Sequence, residues 1–312
     1  MSLKFLSVPN TFSNILYLVS AFSAPVHIFG AFCILSKTPI AMHSVKWCLF
    51  NLHFWSMTLD LSLSFFGQPF ICTPAFAGIS LGLFHKLIST SILTYLFMTI
   101  FMFVVISIVA IFENRYFLLF AQHTWWQYGR YPFLVVNYLI GIVYYIPTHL
   151  QVPEQTEARK ELFIKLPKLL EYDTPENPIF VSAFDNPWIT YRQGIVTVLI
   201  SAEILIFVGL LNWKMRQAMK RMTLSEKTLR LQSEFIKALK LQIAIPLVII
   251  LIPSLVLAAM GISGYQNQGA NNLVFLVTSV HGMCSTLLML YLQKPYRDYC
   301  RTRFSTVSST HA

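Results

Sequence analysis

Charge is scarce in this chain. Asp, Glu, Lys and Arg make up 12% of its 312 residues while 55% are hydrophobic, about half the charged fraction of an ordinary soluble domain. The five cysteines (Cys33, Cys48, Cys72, Cys284, Cys300) show neither metal-ligand spacing nor a paired framework. No Asn-x-Ser/Thr sequon occurs, so N-glycosylation is not expected. There is no His-Glu-x-x-His, no Gly-x-Ser-x-Gly and no phosphate-cradling glycine loop, and no apolar segment offers paired carboxylates. Enzyme chemistry, a cofactor and a bound metal are therefore not expected. No internal repeat of the kind that marks many transporters is visible, and the first 14 residues do not read as a cleavable signal peptide.

What is present is long apolar runs. Leu87 to Phe112 contains no charged side chain and ends in Glu113-Asn114-Arg115-Tyr116; 26 helical residues span about 39 Å, enough to cross a bilayer core at a tilt. Six further runs are long enough to span: 15–35, 47–66, 131–150, 194–213, 243–262 and 273–292. The expectation is an all-α membrane protein, one seven-helix bundle over 1–312, with an outer loop at 151–192 and a tail at 293–312.

Basic residues orient it. The connections 37–46, 113–130 and 214–240 and the tail hold sixteen Lys/Arg, the opposite face seven. The positive-inside bias puts the N-terminus outside and the C-terminus in the cytosol, and accounts for the net charge of +10 without nucleic acid. The acidic, proline-bearing loop 151–192 reads as an irregular, wet lid with a short helix near 157–170, or as a solvated linker. Lys214, Arg216, Lys220 and Arg221 continue from the fifth span, and Thr223-Leu224-Ser225-Glu226 reads as a capping box opening an extended sixth helix through Lys237 and Lys240. Those cations suit anionic lipid head groups or an acidic cytosolic partner.

Ionisable residues at membrane depth are functional candidates. Asp60 lies in the second span, Glu203 midway along the fifth, and His27, His53 and His281 in spans one, two and seven. For Asp60 the readings are an ion or switch site facing Ser107, Ser279, His281 or Ser285, and a structural bond between helices. Glu203 reads as a pocket or interhelical residue, and each histidine as a packed core residue. Pro25, Pro132, Pro147, Pro246 and Pro253 predict bends.

The acid–Arg–Tyr end of the third span, the basic connection between spans five and six and the seven spans themselves look like a rhodopsin-like G-protein-coupled receptor. The chain departs from that pattern in the extra Asn114, in having no Asn-Pro-x-x-Tyr, and in having no cysteine within 151–192. Four further stretches narrow the resemblance. Lys37 to Trp47, Pro69-Phe70 through Gly78, Gln242 to Pro246 and Gln293-Lys294-Pro295-Tyr296-Arg297 resemble the nematode serpentine receptors, class h, a chemoreceptor family. Pro153-Glu154-Gln155 is similar to that family too.

The resemblance implies a chemosensory receptor in the plasma membrane, in a sensory cilium. A small ligand would bind between the outer halves of spans three, five, six and seven, and a heterotrimeric G protein would dock on Arg115, Tyr116 and the basic ends of spans five and six. Glu113 paired with Arg115 would hold the resting state. Lys294, Pro295, Tyr296 and Arg297 read as an interfacial exit into a short membrane-surface helix from 295 to 304, where Cys300 is either a palmitoylation site or a free thiol. The competing classes are a ligand-gated channel or transporter subunit, with Asp60 and Glu203 on an ion path, and a non-signalling partner subunit.

Overall fold

The computed structural model describes residues 3–183, 187–221 and 226–309. A 3-10 turn, Leu3–Ser7, leads into α1 (Pro9–Lys37). The second helix, α2 (His43–Leu61), continues as a π-turn through Ser62–Phe66 into a hairpin of β1 (Pro69–Ile71) and β2 (Phe76–Ser80). Next come α3 (Thr90–Tyr116), extended by a π-turn to Ala121, then α4 (Trp126–Val143) and α5 (Ile146–Leu150). The long loop holds α6 (Gln155–Lys165), a 3-10 turn (Pro167–Tyr172) and β3 (Phe180–Ala183). The chain ends with α7 (Pro187–Arg221), α8 (Glu226–Ser263), α9 (Gln268–Thr278), α10 (His281–Leu292) and α11 (Lys294–Ser309).

Among the described residues, six helical stretches are long and apolar enough to cross a membrane: α1, α3 with its extension, α4–α5, α7, α8 and α9–α10. The second predicted span does form a helix, but it falls outside that set. Lys46, Asn51, His53 and Asp60 all lie on α2, so its polarity is spent on internal bonds that an apolarity criterion cannot see. Helices also run past the apolar runs: α1 begins at Pro9 instead of Ile15, and α7 extends without a break to Arg221. The predicted capping box at 223–226 and the turn before it lie largely outside the described residues.

The most enclosed helix is α3, buried at every position from Ile106 to Arg115. Its Cβ-poor neighbour is Gly141 on α4, where an added Cβ would come within 2.9 Å of Ile106. The main core gathers Val109 and Ile111 of α3 with Leu49, Leu52, Leu59, Leu211, Leu239 and Met289 from four helices around it.

The short helix expected near 157–170 is present as α6 and the 3-10 turn after it, but the lid is a small ordered roof and not irregular. β1 pairs antiparallel with β2 (Phe70 opposite Ile79), and β2 pairs antiparallel with β3 from the long loop (Ala77 opposite Val181). Gln155, at the start of α6, extends the sheet edge: its Oε1 accepts from Val181 N at 2.9 Å and its Nε2 donates to Val181 O at 3.1 Å. Glu154 caps α6 by accepting from the amides of Thr156 and Glu157, and those bonds hold its carboxyl below the usual glutamate range. Under the sheet lies a second core of Phe12, Leu16, Phe70, Ile79, Leu162 and Val181, which welds the roof to α1. Gln68, buried with φ 45°, turns the chain from α2 into this sheet. Bonds from Ser13 Oγ to its Oε1 (2.6 Å) and from its Nε2 to Ser64 O (2.8 Å) hold it in that left-handed conformation.

Candidate functional site

Two polar assemblies lie inside the bundle. The first is centred on Asp60, whose side chain is fully buried. The seventh membrane helix breaks at Ser279–Val280 into α9 and α10, and the first amides of α10 have no intrahelical acceptor. Asp60 supplies one from α2. Its Oδ1 accepts from Gly282 N at 3.1 Å and its Oδ2 from Met283 N at 2.8 Å. The carboxylate thus caps a helix on another segment, with the positive end of that helix's dipole toward it.

Three imidazoles surround this cap. His281 Nδ1 lies 2.6 Å from Asp60 Oδ1 and His27 Nε2 lies 3.2 Å from Oδ2. His281 Nδ1 also faces the Thr278 carbonyl at 3.0 Å, and His53 Nε2 faces the His27 carbonyl at 3.0 Å. A carbonyl only accepts, so both of these nitrogens carry hydrogens. Thr286 donates to Gly282 O at 2.8 Å and lies within 3.4 Å of Nδ1 of both His27 and His53. Glycine makes the close packing possible. A Cβ on Gly30 would collide with Thr286 and His53, and one on Gly282 would lie 2.9 Å from Asp60 Oδ2.

This geometry separates the sequence candidates. Of the residues expected near Asp60, His281 is in contact. Ser107 instead donates to Phe103 O and receives the Asn51 amide at 2.7 Å, and Ser279 donates to Leu276 O. The reason is register: both serines satisfy a carbonyl of their own helix. Every group on Asp60 is a donor, so the shell suits a carboxylate, not a cation's ligands. Among the described residues no group of three His, Cys, Asp or Glu is placed to hold a metal. Glu203 is remote from this cluster. It is half-buried on α7, and its buried Oε2 has no hydrogen-bond partner among the described residues.

The second assembly closes the opposite end of α3. Glu113, fully buried, does not pair with Arg115 as expected. Its Oε2 receives Arg130 Nη2 at 3.1 Å and its Oε1 receives Trp126 Nε1 at 2.8 Å. The same Nη2 donates to Asn114 Oδ1 at 3.1 Å, and Asn114 Nδ2 donates to Ser44 O at 3.2 Å. The extra asparagine is thus a clip joining α2, α3 and α4. The physical reason for the changed partner is the helical angle. Residues 113 and 115 are about 200° apart around α3, so Glu113 meets α4 while Arg115 is buried near Cys48 of α2. The Arg130 guanidinium also lies 3.9 Å from the Phe117 ring centre.

Tyr116 packs on Phe207 of α7, and Phe207 also meets Trp126 and Phe133. Lys240 on α8 donates to Asn212 of α7 at 2.6 Å, and Lys214 lies over the Trp213 ring. Lys220 and Lys237 are exposed, and the side chain of Arg221 lies outside the described residues. At the exit from α10, Lys294 is exposed and Arg297 half-buried, while Tyr296 is fully buried. Its hydroxyl lies 2.8 Å from Thr38 Oγ1, so it ties α11 to the end of α1. Burial raises the titration of that phenol.

Sequence reasoning missed Arg130, Asn114, Asn51 and Thr286. Arg130 carried one usable signal, being the only other Arg or Lys in its connection.

Comparison with known proteins agrees with this geometry. Residues 7–306 match the family model described as serpentine type 7TM GPCR chemoreceptor Srh. The Caenorhabditis elegans protein named serpentine receptor class H-72 is 27% identical over 292 residues, covering 92% of this chain and 83% of its own. Among solved structures, squid rhodopsin superposes with a TM-score of 0.56 at 11% identity, covering 95% of this chain and 85% of that one. That likeness extends to the fold, with α2 as the helix that completes the set of seven. Because the family model matches nearly the whole length, the chain belongs to the Srh family of serpentine seven-transmembrane G-protein-coupled chemoreceptors.

Proposed function

We propose that this chemoreceptor binds a small molecule on the roofed side of the bundle and drives a heterotrimeric G protein on the other. The roof faces the exterior, and the Lys/Arg-rich helix ends face the cytosol of a sensory cell, at its ciliary plasma membrane. The observation that carries this reading is the Arg130–Glu113–Asn114–Ser44 lock beside the buried Arg115. With Arg115 enclosed, the arrangement corresponds to a resting state. A ligand that binds better to a second helix arrangement shifts the population toward it, parting α3 from α4 and presenting Arg115 and Tyr116 with Lys214, Lys220, Lys237 and Lys240. Asp60 acts as the pivot, because one carboxylate joins α1, α2 and α10. Whole-receptor expression with a G-protein dissociation sensor tests the reading. Some small molecule in a chemical screen should evoke a response that Arg115→Ala abolishes at equal surface expression. A response that Arg115→Ala leaves intact, or a ligand-evoked current in membranes free of G protein, would overturn it.

A further inference from the structure

One groove on the described residues shares no lining residue with either polar assembly. It encloses about 500 Å³ between α1 and α10, floored by α11. Its walls are apolar, from Val26 and Phe29 on one side and Leu287 and Leu290 on the other. Pro25 marks its deep end, and Arg297 and Arg301, one helical turn apart, mark its rim. From Pro25 to the end of α1 at Lys37 is 12 residues, about 18 Å of helix. One leaflet of hydrocarbon is roughly 15 Å thick, so the groove has the depth of a single acyl chain.

The rim has chemistry that a bare lipid tail does not use. Arg297 Nε is buried and has no hydrogen-bond partner among the described residues; the guanidinium's one bond is a long 3.5 Å contact from Nη1 to Tyr291 O. Arg301 is exposed beside it. Planar guanidinium forks at the water line match phosphate oxygens in both charge and geometry.

We propose that this groove binds one anionic phospholipid, with its head-group phosphate on Arg297 and Arg301 and an acyl chain running up to Pro25. Such a lipid wedges α1, α10 and α11 together, and its presence depends on leaflet composition, independently of any chemosensory ligand. A covalent chain on Cys300, which also lines the groove, would fill the same space and leave the arginines unmatched.

The test uses the full-length receptor reconstituted in phosphatidylcholine vesicles doped with spin-labelled phosphatidylserine or spin-labelled phosphatidylcholine. The motionally restricted fraction should favour phosphatidylserine by on the order of tenfold, with Arg297→Gln and Arg301→Gln each reducing the preference roughly fivefold. Leu287→Trp, at an exposed wall position, should remove it by filling the groove, and Cys300→Ser should leave it unchanged. Arg301 and Leu287 are both surface positions, so these variants decide the matter even where Arg297→Gln folds poorly. Equal restriction of the two lipids overturns the proposal. So does a purified receptor carrying a thioester at Cys300 that gains its phosphatidylserine preference only after hydroxylamine release.

Discussion

Replacing Asp60 by Asn is the sharpest perturbation of the bundle. The carboxylate accepts from two amides and two imidazoles, at 2.6 to 3.2 Å, with no exposure to solvent. A carboxamide of the same shape has one acceptor oxygen, which keeps about two of the four bonds, and turns its NH₂ against a donor. Losing two charge-assisted bonds costs roughly 3–6 kcal/mol. The neutral amide is cheaper to bury, which offsets part of that loss, and the net effect is about 2–4 kcal/mol. For a chain of this size that is a fall of roughly 3–6 °C in melting temperature. The assay is thermal unfolding of the detergent-solubilised receptor, read by a thiol-reactive dye on the buried Cys33 and Cys72. Asp60→Ala should be worse, because it leaves both α10 amides and His27 Nε2 without an acceptor and His281 Nδ1 with the Thr278 carbonyl alone. A melting temperature for Asp60→Asn within about 2 °C of wild type would refute the cap, as would an Ala variant no weaker than the Asn one.

Glu113→Gln and Arg130→Gln each break the same lock and should both raise basal G-protein activation severalfold at matched surface expression. Arg115→Gln should not, and a matching rise from it would restore the Glu113–Arg115 pairing. Gly282→Ala sets a methyl 2.8 Å from Ser56 O and 2.9 Å from Asp60 Oδ2, so it should lower stability by roughly 1–3 kcal/mol in the same thermal assay. Phe70→Ala empties a fully buried position between Phe12 and Tyr172; cleavage within 151–183 by added protease should accelerate, reflecting roughly 3–5 kcal/mol lost from the roof. Glu154 has a depressed titration, so its cap is complete above the reference value of 4.5 and is lost as pH falls through the lower folded value. Amide exchange in α6 should therefore accelerate on acidification below that range, and Glu154→Ala should make it fast at neutral pH; exchange insensitive to both changes would remove the cap from the account.

The membrane helices were legible because lipid demands long apolar runs, and α3 shows this in its purest form. The same rule understated α2, whose polar residues are bonded inside the bundle. Asp60 was conspicuous as a lone acid, yet its real partners depend on the break at Ser279–Val280, which no proline announces. The Glu113–Arg130 pair depends on how the chain turns between α3 and α4, so adjacency in sequence favoured Arg115 wrongly. β1 has three residues and β3 four, too few for alternation to register, and the pairing of β3 with β2 joins segments about a hundred residues apart.

The roof has a consequence for the redox chemistry of the receptor's surroundings. All five cysteines are thiols, and burial pushes the one beneath the sheet, Cys72, up to about 12, so it is a poor nucleophile for exchange. Strand pairing and aromatic packing do the work that a covalent bridge would otherwise do. Reductants and thiol–disulfide catalysts should leave this end of the molecule indifferent, and its assembly does not need an oxidising compartment.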